Sequence, residues 1–132
     1  MLKRPQMGIN INDKEEPWTD LILDGVKRIE TRDRATLHPY LGQRVGIVRT
    51  GKGKATLVGE VTICGCTPYP SRTVFRSDED RHCVKAGSKF DWKEGKLGYF
   101  LDNPIRYAKP IEVNSKGMVS RFIGDLKPRR KR

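Results

Sequence analysis

No run in this chain approaches the roughly 20 consecutive apolar residues that a membrane-spanning helix needs. Residues 1–10 also lack the apolar core of a secretory leader. Neither a membrane nor export is therefore expected. Cysteine is scarce, and the three present are an odd number, which argues against a disulfide framework and for a reducing, cytoplasmic setting. Of the two histidines, His38 stands in a loop beside Pro39, where solvent exposure is a commoner fate than service as a catalytic base. Apolar residues make up only 36% of the chain, so the core must be small, and 132 residues suffice for one domain but not two. The turn Gly51-Lys52-Gly53-Lys54 lacks the spacing and following helix of a Walker phosphate loop. It reads as a hairpin tip whose lysines and open backbone remain able to meet a phosphate.

Charge of one sign is what the chain has in excess. Its 27 basic and 16 acidic residues leave a net charge of +11. Five of the basic residues crowd into 127–132, a tail too short and too charged to fold alone, so residues 1–126 carry +6, five below the total. The body is basic in its own right, beyond what solubility requires. That is the electrostatic footprint of a polyanion binder, with nucleic acid the commonest candidate.

The stretch 16–32 organises the rest. Pro17 suits a first helical turn, and Trp18, Leu21, Ile22 and Val26 recur at helical spacing. Glu15, Glu16 and Asp20 precede Lys27 and Arg28 in the order a helix dipole favours, and Gly25 can close the helix in the left-handed conformation. In the strand that follows, Ile29 and Thr31 share one face while Arg28, Glu30 and Arg32 share the other. Lys27 stands at the junction. An ammonium, a carboxylate and a guanidinium are thus brought together by covalent spacing. The group reads either as a solvated strand face or as the floor of a charged cleft.

The order Pro-Trp, helix, Gly-x-Lys-x-x-Glu-x-Arg resembles the signature of the ASCH family, small domains related to the PUA fold. Residues 42–49 (GQRVGIVR), 57–63 (LVGEVTI) and 98–110 (GYFLDNPIRYAKP) extend the likeness over most of 7–117. The resemblance implies an α+β fold: a small PUA-like β-barrel of five to six mostly antiparallel strands, one main helix and one or two short ones. It also implies a cleft floored by Lys27, Glu30 and Arg32, in a family associated with RNA and nucleotide chemistry.

Elsewhere the chain alternates as strands do. Residues 8–12 form a first strand with Ile9 and Ile11 inward, its expected mate the 28–32 strand. Residues 42–50 form another, blurred by Val48. In 55–66, Leu57, Gly59, Val61 and Ile63 face one way and Val58, Glu60, Thr62, Cys64 and Cys66 the other, the glycine marking a bend. Cys64 and Cys66 with His82 and Cys83 invite a metal reading, but one intervening residue is tighter than structural zinc sites use, and small buried cysteines are the better expectation; no metal or cofactor is called for. Residues 71–87 read as an irregular insertion with a helix over 78–84 capped by Ser77, its Arg72, Arg76, Arg81 and Lys85 walling the cleft or facing solvent. A strand over 98–101, a turn at 102–104, a strand over 105–113 with Pro110 at an edge or bulge, and a last helical turn within 115–125 complete the expectation.

Three functions compete. In the first, the chain binds single-stranded RNA or a modified nucleoside, with DNA possible and a monomer the default. Lys27 and Arg32 hold phosphate or base oxygens, and Glu30 accepts from an exocyclic amine. Arg49, Lys52, Lys54 and Arg72 add backbone contacts, and Trp18, Tyr40, Tyr69 or Tyr99 offer a stacking ring, although Trp18 also belongs to the helix stripe. In the second, the same cleft is a hydrolase acting on acetylated cytidine or RNA. Relatives with amidohydrolase activity carry a threonine three residues after the lysine, where this chain has Glu30, so Lys27 as base or Glu30 activating water are the routes left. Two neighbouring cations would weaken Glu30 as a base. The third, a protein-interaction module, has no apolar surface patch in the sequence to support it.

Overall fold

Four successive residues of one strand, Val45, Gly46, Ile47 and Val48, are buried, which a sheet with one wet face does not allow. In the computed structural model, which describes residues 4–126, that strand is covered on both sides. Val45 and Ile47 join the main core with Ile9, Ile11, Trp18, Ile22, Val61, Ile63 and Tyr99. Val48 joins Leu57, Val113 and Ile123 in a second, smaller core on the other face. This double coverage is why Val48 blurs the alternation. The tail 127–132 lies outside the described residues.

The strands are β1 (Met7–Asn12), β2 (Ile29–Arg32), β3 (Arg44–Thr50), β4 (Thr56–Pro68), β5 (Leu97–Glu112) and β6 (Ser120–Phe122). They form one mixed sheet in the order β2-β5-β4-β3-β1-β6, antiparallel except for β1 beside β3. The sheet curls into a half-barrel that short helices α1 (Trp18–Leu23), α2 (Arg72–Arg76) and α3 (Glu79–His82) help to close, an α+β arrangement. A 3₁₀ turn over His38–Tyr40 interrupts the expected loop. Among the described residues no helix is long and apolar enough to cross a membrane.

Several expectations need correction. β1 does not pair with β2: it lies between β3 and β6, and β2 pairs with β5. The two strands nevertheless approach across the mouth of the curl, where Arg32 Nη2 donates to the Asn10 carbonyl at 3.0 Å. Val58 shares the main core with Val61 and Ile63, while Leu57 belongs to the second, because register shifts along β4 change the phase of the alternation. The expected turn at 102–104 is absorbed inside the continuous β5: Asn103 takes φ +50° and the pairing steps from Thr62 with Asp102 to Glu60 with Ile105. Pro110 does lie on an edge, since β2 covers only the Leu97 to Phe100 end of β5.

The last helical turn is instead β6, with Ile123 fully buried and Met118 97% exposed. On α1 the covered stripe is Trp18, Thr19, Ile22 and Leu23; Val26 lies beyond Gly25 (φ +76°) and is exposed. The insertion holds two helices rather than one. Ser71 caps the first by accepting from the Val74 amide at 3.2 Å, and Asp78 rather than Ser77 precedes the second. Phe75, fully buried, roots α2 in the main core.

Candidate functional site

The turn after α1 is held by two amides, of Val26 and Lys27, that share the Leu21 carbonyl at 2.9 Å each. The Arg28 amide donates to the Arg81 carbonyl at 2.8 Å, which docks the start of β2 against α3. Lys27 is thereby turned inward, with only 2% of its surface exposed. Its ammonium donates to the His82 carbonyl, lies 4.7 Å over the Trp18 ring and stands 3.9 Å from Glu30 Oε1. Burial pushes the Lys27 pKa below its ordinary value; the Glu30 carboxylate opposes the shift without cancelling it. Glu30 Oε2 in turn accepts from Arg32 Nε at 2.9 Å. The three charged groups converge as their spacing predicted.

They floor a cleft of about 500 Å³. One wall is Phe90, set edge-on to Trp18 at 5.9 Å, with Val84 and Lys89 beside it. Asn10 and Arg121, bonded to each other, and Lys14 also line the cleft. Lys96 completes the base: nearly buried, it donates to Asp33 Oδ1 at 2.7 Å and to the Phe90 carbonyl at 3.1 Å. Burial pushes the Asp33 carboxyl up, but Lys96 and Lys93 together outweigh it and hold the group below the usual carboxylate range. Six cations (Lys14, Lys27, Arg32, Lys89, Lys96 and Arg121) face three carboxylates (Glu15, Glu30 and Asp33), so the lining is net positive. A second hollow behind Trp18 and Phe90 has the opposite bias, carrying Glu15, Glu16, Glu79 and Asp80 against Lys85 and Lys89.

Of the residues singled out in the sequence, Trp18, Lys27, Glu30 and Arg32 meet in this cleft. Trp18 serves both readings, being 9% exposed within the core and yet part of the cleft floor. The others are elsewhere. Tyr99 is fully enclosed, its hydroxyl 2.6 Å from His38 Nδ1, so it offers no face to a base. Tyr69 is enclosed too and donates to Asp78. Tyr40 is half-buried, bound to the Ser120 hydroxyl. Arg49 is half-buried on β3, Lys52 and Lys54 stand on the exposed β3–β4 turn, and Arg72 lies 5.7 Å over the Trp92 ring. Within the insertion only Val84 lines the cleft, and Arg72, Arg76, Arg81 and Lys85 do not; its His82 carbonyl holds Lys27, and the wall is completed by Lys89 and Phe90, which follow the insertion. Arg76 and Arg81 are paired with Asp91 and Asp78.

The cysteines and His82 do not form a metal centre. His82 Nδ1 accepts from the Val84 amide at 2.9 Å, so Nε2 carries the proton and donates to the Phe75 carbonyl at 2.7 Å. Among the described residues no three histidine, cysteine or acidic side chains gather to hold a metal. Cys64 is exposed rather than buried, since it lies on the outward phase of β4, and Cys66 and Cys83 are half-buried. Asn10, Lys14, Lys89, Phe90, Lys96 and Arg121 are lining residues that sequence reasoning missed. The basic excess pointed to cations of this kind but not to their positions.

Comparison with known proteins agrees with the fold. The ASCH domain family matches residues 14–115. No curated protein matches. Among solved structures, the ASCH protein from Zymomonas mobilis superposes with a TM-score of 0.70 at 18% identity, covering 89% of this chain and 86% of that one. A serine-to-alanine variant of the same protein gives a TM-score of 0.69 at 16% identity over 93% of this chain and 91% of that one. At this level of identity the likeness establishes the fold.

Proposed function

The chain belongs to the ASCH domain family, and from that premise we propose that the cleft receives one nucleotide unit of a single-stranded RNA or a modified nucleoside. The observation that carries this reading is the convergence of Lys27, Glu30 and Arg32 on the floor of a net-positive cleft. Glu30 is an acceptor for the amino or imino donors of a base, and the two cations are donors for its oxygens or for phosphate. The Trp18–Phe90 pair is the aromatic surface beside them. A volume of about 500 Å³ suits one such unit and falls within the usual range for small-ligand sites. The basic balance adds sequence-independent affinity that weakens with salt. Fluorescence anisotropy with a labelled single-stranded RNA tests the reading. Binding falls by about tenfold or more in Lys27→Ala and in Arg32→Ala; full affinity in both variants would remove the cleft from consideration.

One observation favours the second reading, a hydrolase acting on acetylated cytidine or RNA. Lys27 is a buried amine whose burial favours the unprotonated form, the state a general base requires. A mass-spectrometric screen of modified nucleosides and short RNAs incubated with the protein decides between the two. Turnover that disappears in Glu30→Gln supports catalysis, and no consumed substrate leaves binding alone.

A further inference from the structure

Asn10 is the most heavily bonded residue of the cleft. Its amide nitrogen donates to the Gly117 and Met118 carbonyls at 2.8 and 3.1 Å, and its backbone amide donates to the Val119 carbonyl at 2.8 Å. These bonds tie the segment before β6 to β1. The two acceptors that Asn10 keeps both serve guanidiniums: its carbonyl accepts from Arg32 Nη2 at 3.0 Å, and its Oδ1 accepts from Arg121 Nε at 3.0 Å. One residue therefore holds two arginines, from β2 and β6, at the same end of the cleft.

Each arginine is anchored twice and keeps one terminal nitrogen over. Arg32 uses Nε on Glu30 and Nη2 on Asn10, leaving Nη1. Arg121 uses Nε on Asn10 and Nη1 on the Ser115 carbonyl at 2.9 Å, leaving Nη2. Among the described residues neither of these nitrogens has a hydrogen-bond partner. The anchors of Arg121 are amide and carbonyl oxygens, which are neutral, whereas Glu30 offsets part of the Arg32 charge. A guanidinium fixed at two points loses little freedom when it binds an anion, and paired guanidiniums suit the oxygens of a phosphate.

We propose that Arg32 and Arg121, spaced by Asn10, form a phosphate subsite at the β1 end of the cleft, separated from the Trp18–Phe90 pair by Lys27 and Glu30. This rests on the nucleotide reading above and deepens it. The preferred occupant is a phosphorylated nucleotide or a phosphodiester-linked one, held base toward the aromatic pair and phosphate toward the arginines, rather than a bare nucleoside.

The test compares uridine, uridine 5′-monophosphate and inorganic phosphate by NMR, reading the Nε–H signals of Arg32 and Arg121, with affinities from calorimetry. Expected is tighter binding of the monophosphate than of uridine by about tenfold or more, with both arginine signals shifted by the monophosphate and not by uridine. In Arg121→Gln that preference collapses toward equality. Arg121→Lys, which keeps the charge but not the fork, retains part of it. Circular dichroism confirms that each variant is folded, and where one is not, the arginine signals of the parent protein decide the matter. A preference unchanged in folded Arg121→Gln, or no shift of either arginine by the monophosphate or phosphate, overturns the subsite. If the monophosphate behaves as expected while single-stranded RNA fails to bind, the subsite stands and the RNA reading falls. If RNA binding depends on Lys27 but the phosphate preference ignores Arg121, the reverse holds.

Discussion

The ammonium of Lys27 donates to the backbone carbonyl of His82, 55 residues further along the chain. One side chain thus serves the cleft floor and also fastens α3 to the entrance of β2. The site and the packing of the insertion share this bond, so changes at Lys27 report on both.

Replacing Lys27 separates charge from volume. The folded chain holds its pKa below the ordinary value of 10.5, so between the two values the unfolded chain binds more protons than the folded one. Stability of the parent therefore rises with pH across that interval. Lys27→Met keeps the apolar stem and deletes the charge, which removes this rise. At neutral pH the variant is expected within about 1 kcal/mol of the parent, because relief of desolvation offsets the orphaned His82 carbonyl. Urea melts of both proteins from pH 7 to pH 10 check the sign. A parent-minus-variant difference that shrinks as pH rises contradicts it.

Glu30→Gln acts on both cations at once. It removes the carboxylate that faces Lys27 at 3.9 Å and bonds Arg32 at 2.9 Å. A loss of about 2 kcal/mol is expected, as for other charge-assisted hydrogen bonds. Glu30 is also the main influence raising the Lys27 pKa against burial, so the alkaline rise in stability begins at lower pH in the variant. Chemical denaturation across pH measures both effects.

Asp91 governs the segment that carries Lys89 and Phe90. Its carboxylate accepts from Arg76 at 2.6 Å and from the Gly87 and Trp92 amides at 2.8 Å each, and these bonds, Arg76 foremost, hold its pKa well below the ordinary 3.8. A depressed carboxylate stabilises the fold above its unfolded pKa, and that contribution is lost as pH falls through the folded value. Asp91→Asn lowers Tm at pH 7, and the gap to the parent closes in strong acid. Hydrogen exchange at Gly87 and Trp92 should quicken in the variant. Unchanged protection there would show that the carboxylate does not order the segment.

Two glycines separate conformational from steric need. At Gly25 an added Cβ meets nothing within 4 Å, but φ is +76°, so Gly25→Ala is expected to cost about 1 kcal/mol through backbone strain alone. At Gly59 an added Cβ would stand 2.4 Å from the Ile105 carbonyl and 2.6 Å from Leu23 Cδ2. Gly59→Ala must push β5 or α1 away and should cost about 1–3 kcal/mol. Thermal melts rank the two, and a Gly59→Ala variant no less stable than Gly25→Ala contradicts the steric account.

What the sequence determined by itself was the charged grouping after α1 and the first strands, both set by short covalent spacing. A helix stopped by Gly25, with Lys27, Glu30 and Arg32 next in line, delivers three charged groups to one place, because six residues of backbone leave them little room to part. Ile9, Ile11, Val45 and Ile47 announced their strands by alternation for the same local reason. Tertiary structure decided which strands are neighbours, since the β1–β3 and β2–β5 ladders join residues tens of positions apart and hydrogen-bonding backbone carries no residue code. It decided β5 as well: Asp102-Asn103-Pro104 has the composition of a turn, yet register shifts against β4 let the strand run on. It also decided the rest of the cleft. Phe90, Lys96 and Arg121 arrive from distant segments, and the His82 carbonyl is backbone, so no local pattern marks them. The curl of the sheet brings Asn10 within reach of Arg32, and that closure is a property of the whole ladder rather than of any stretch within it.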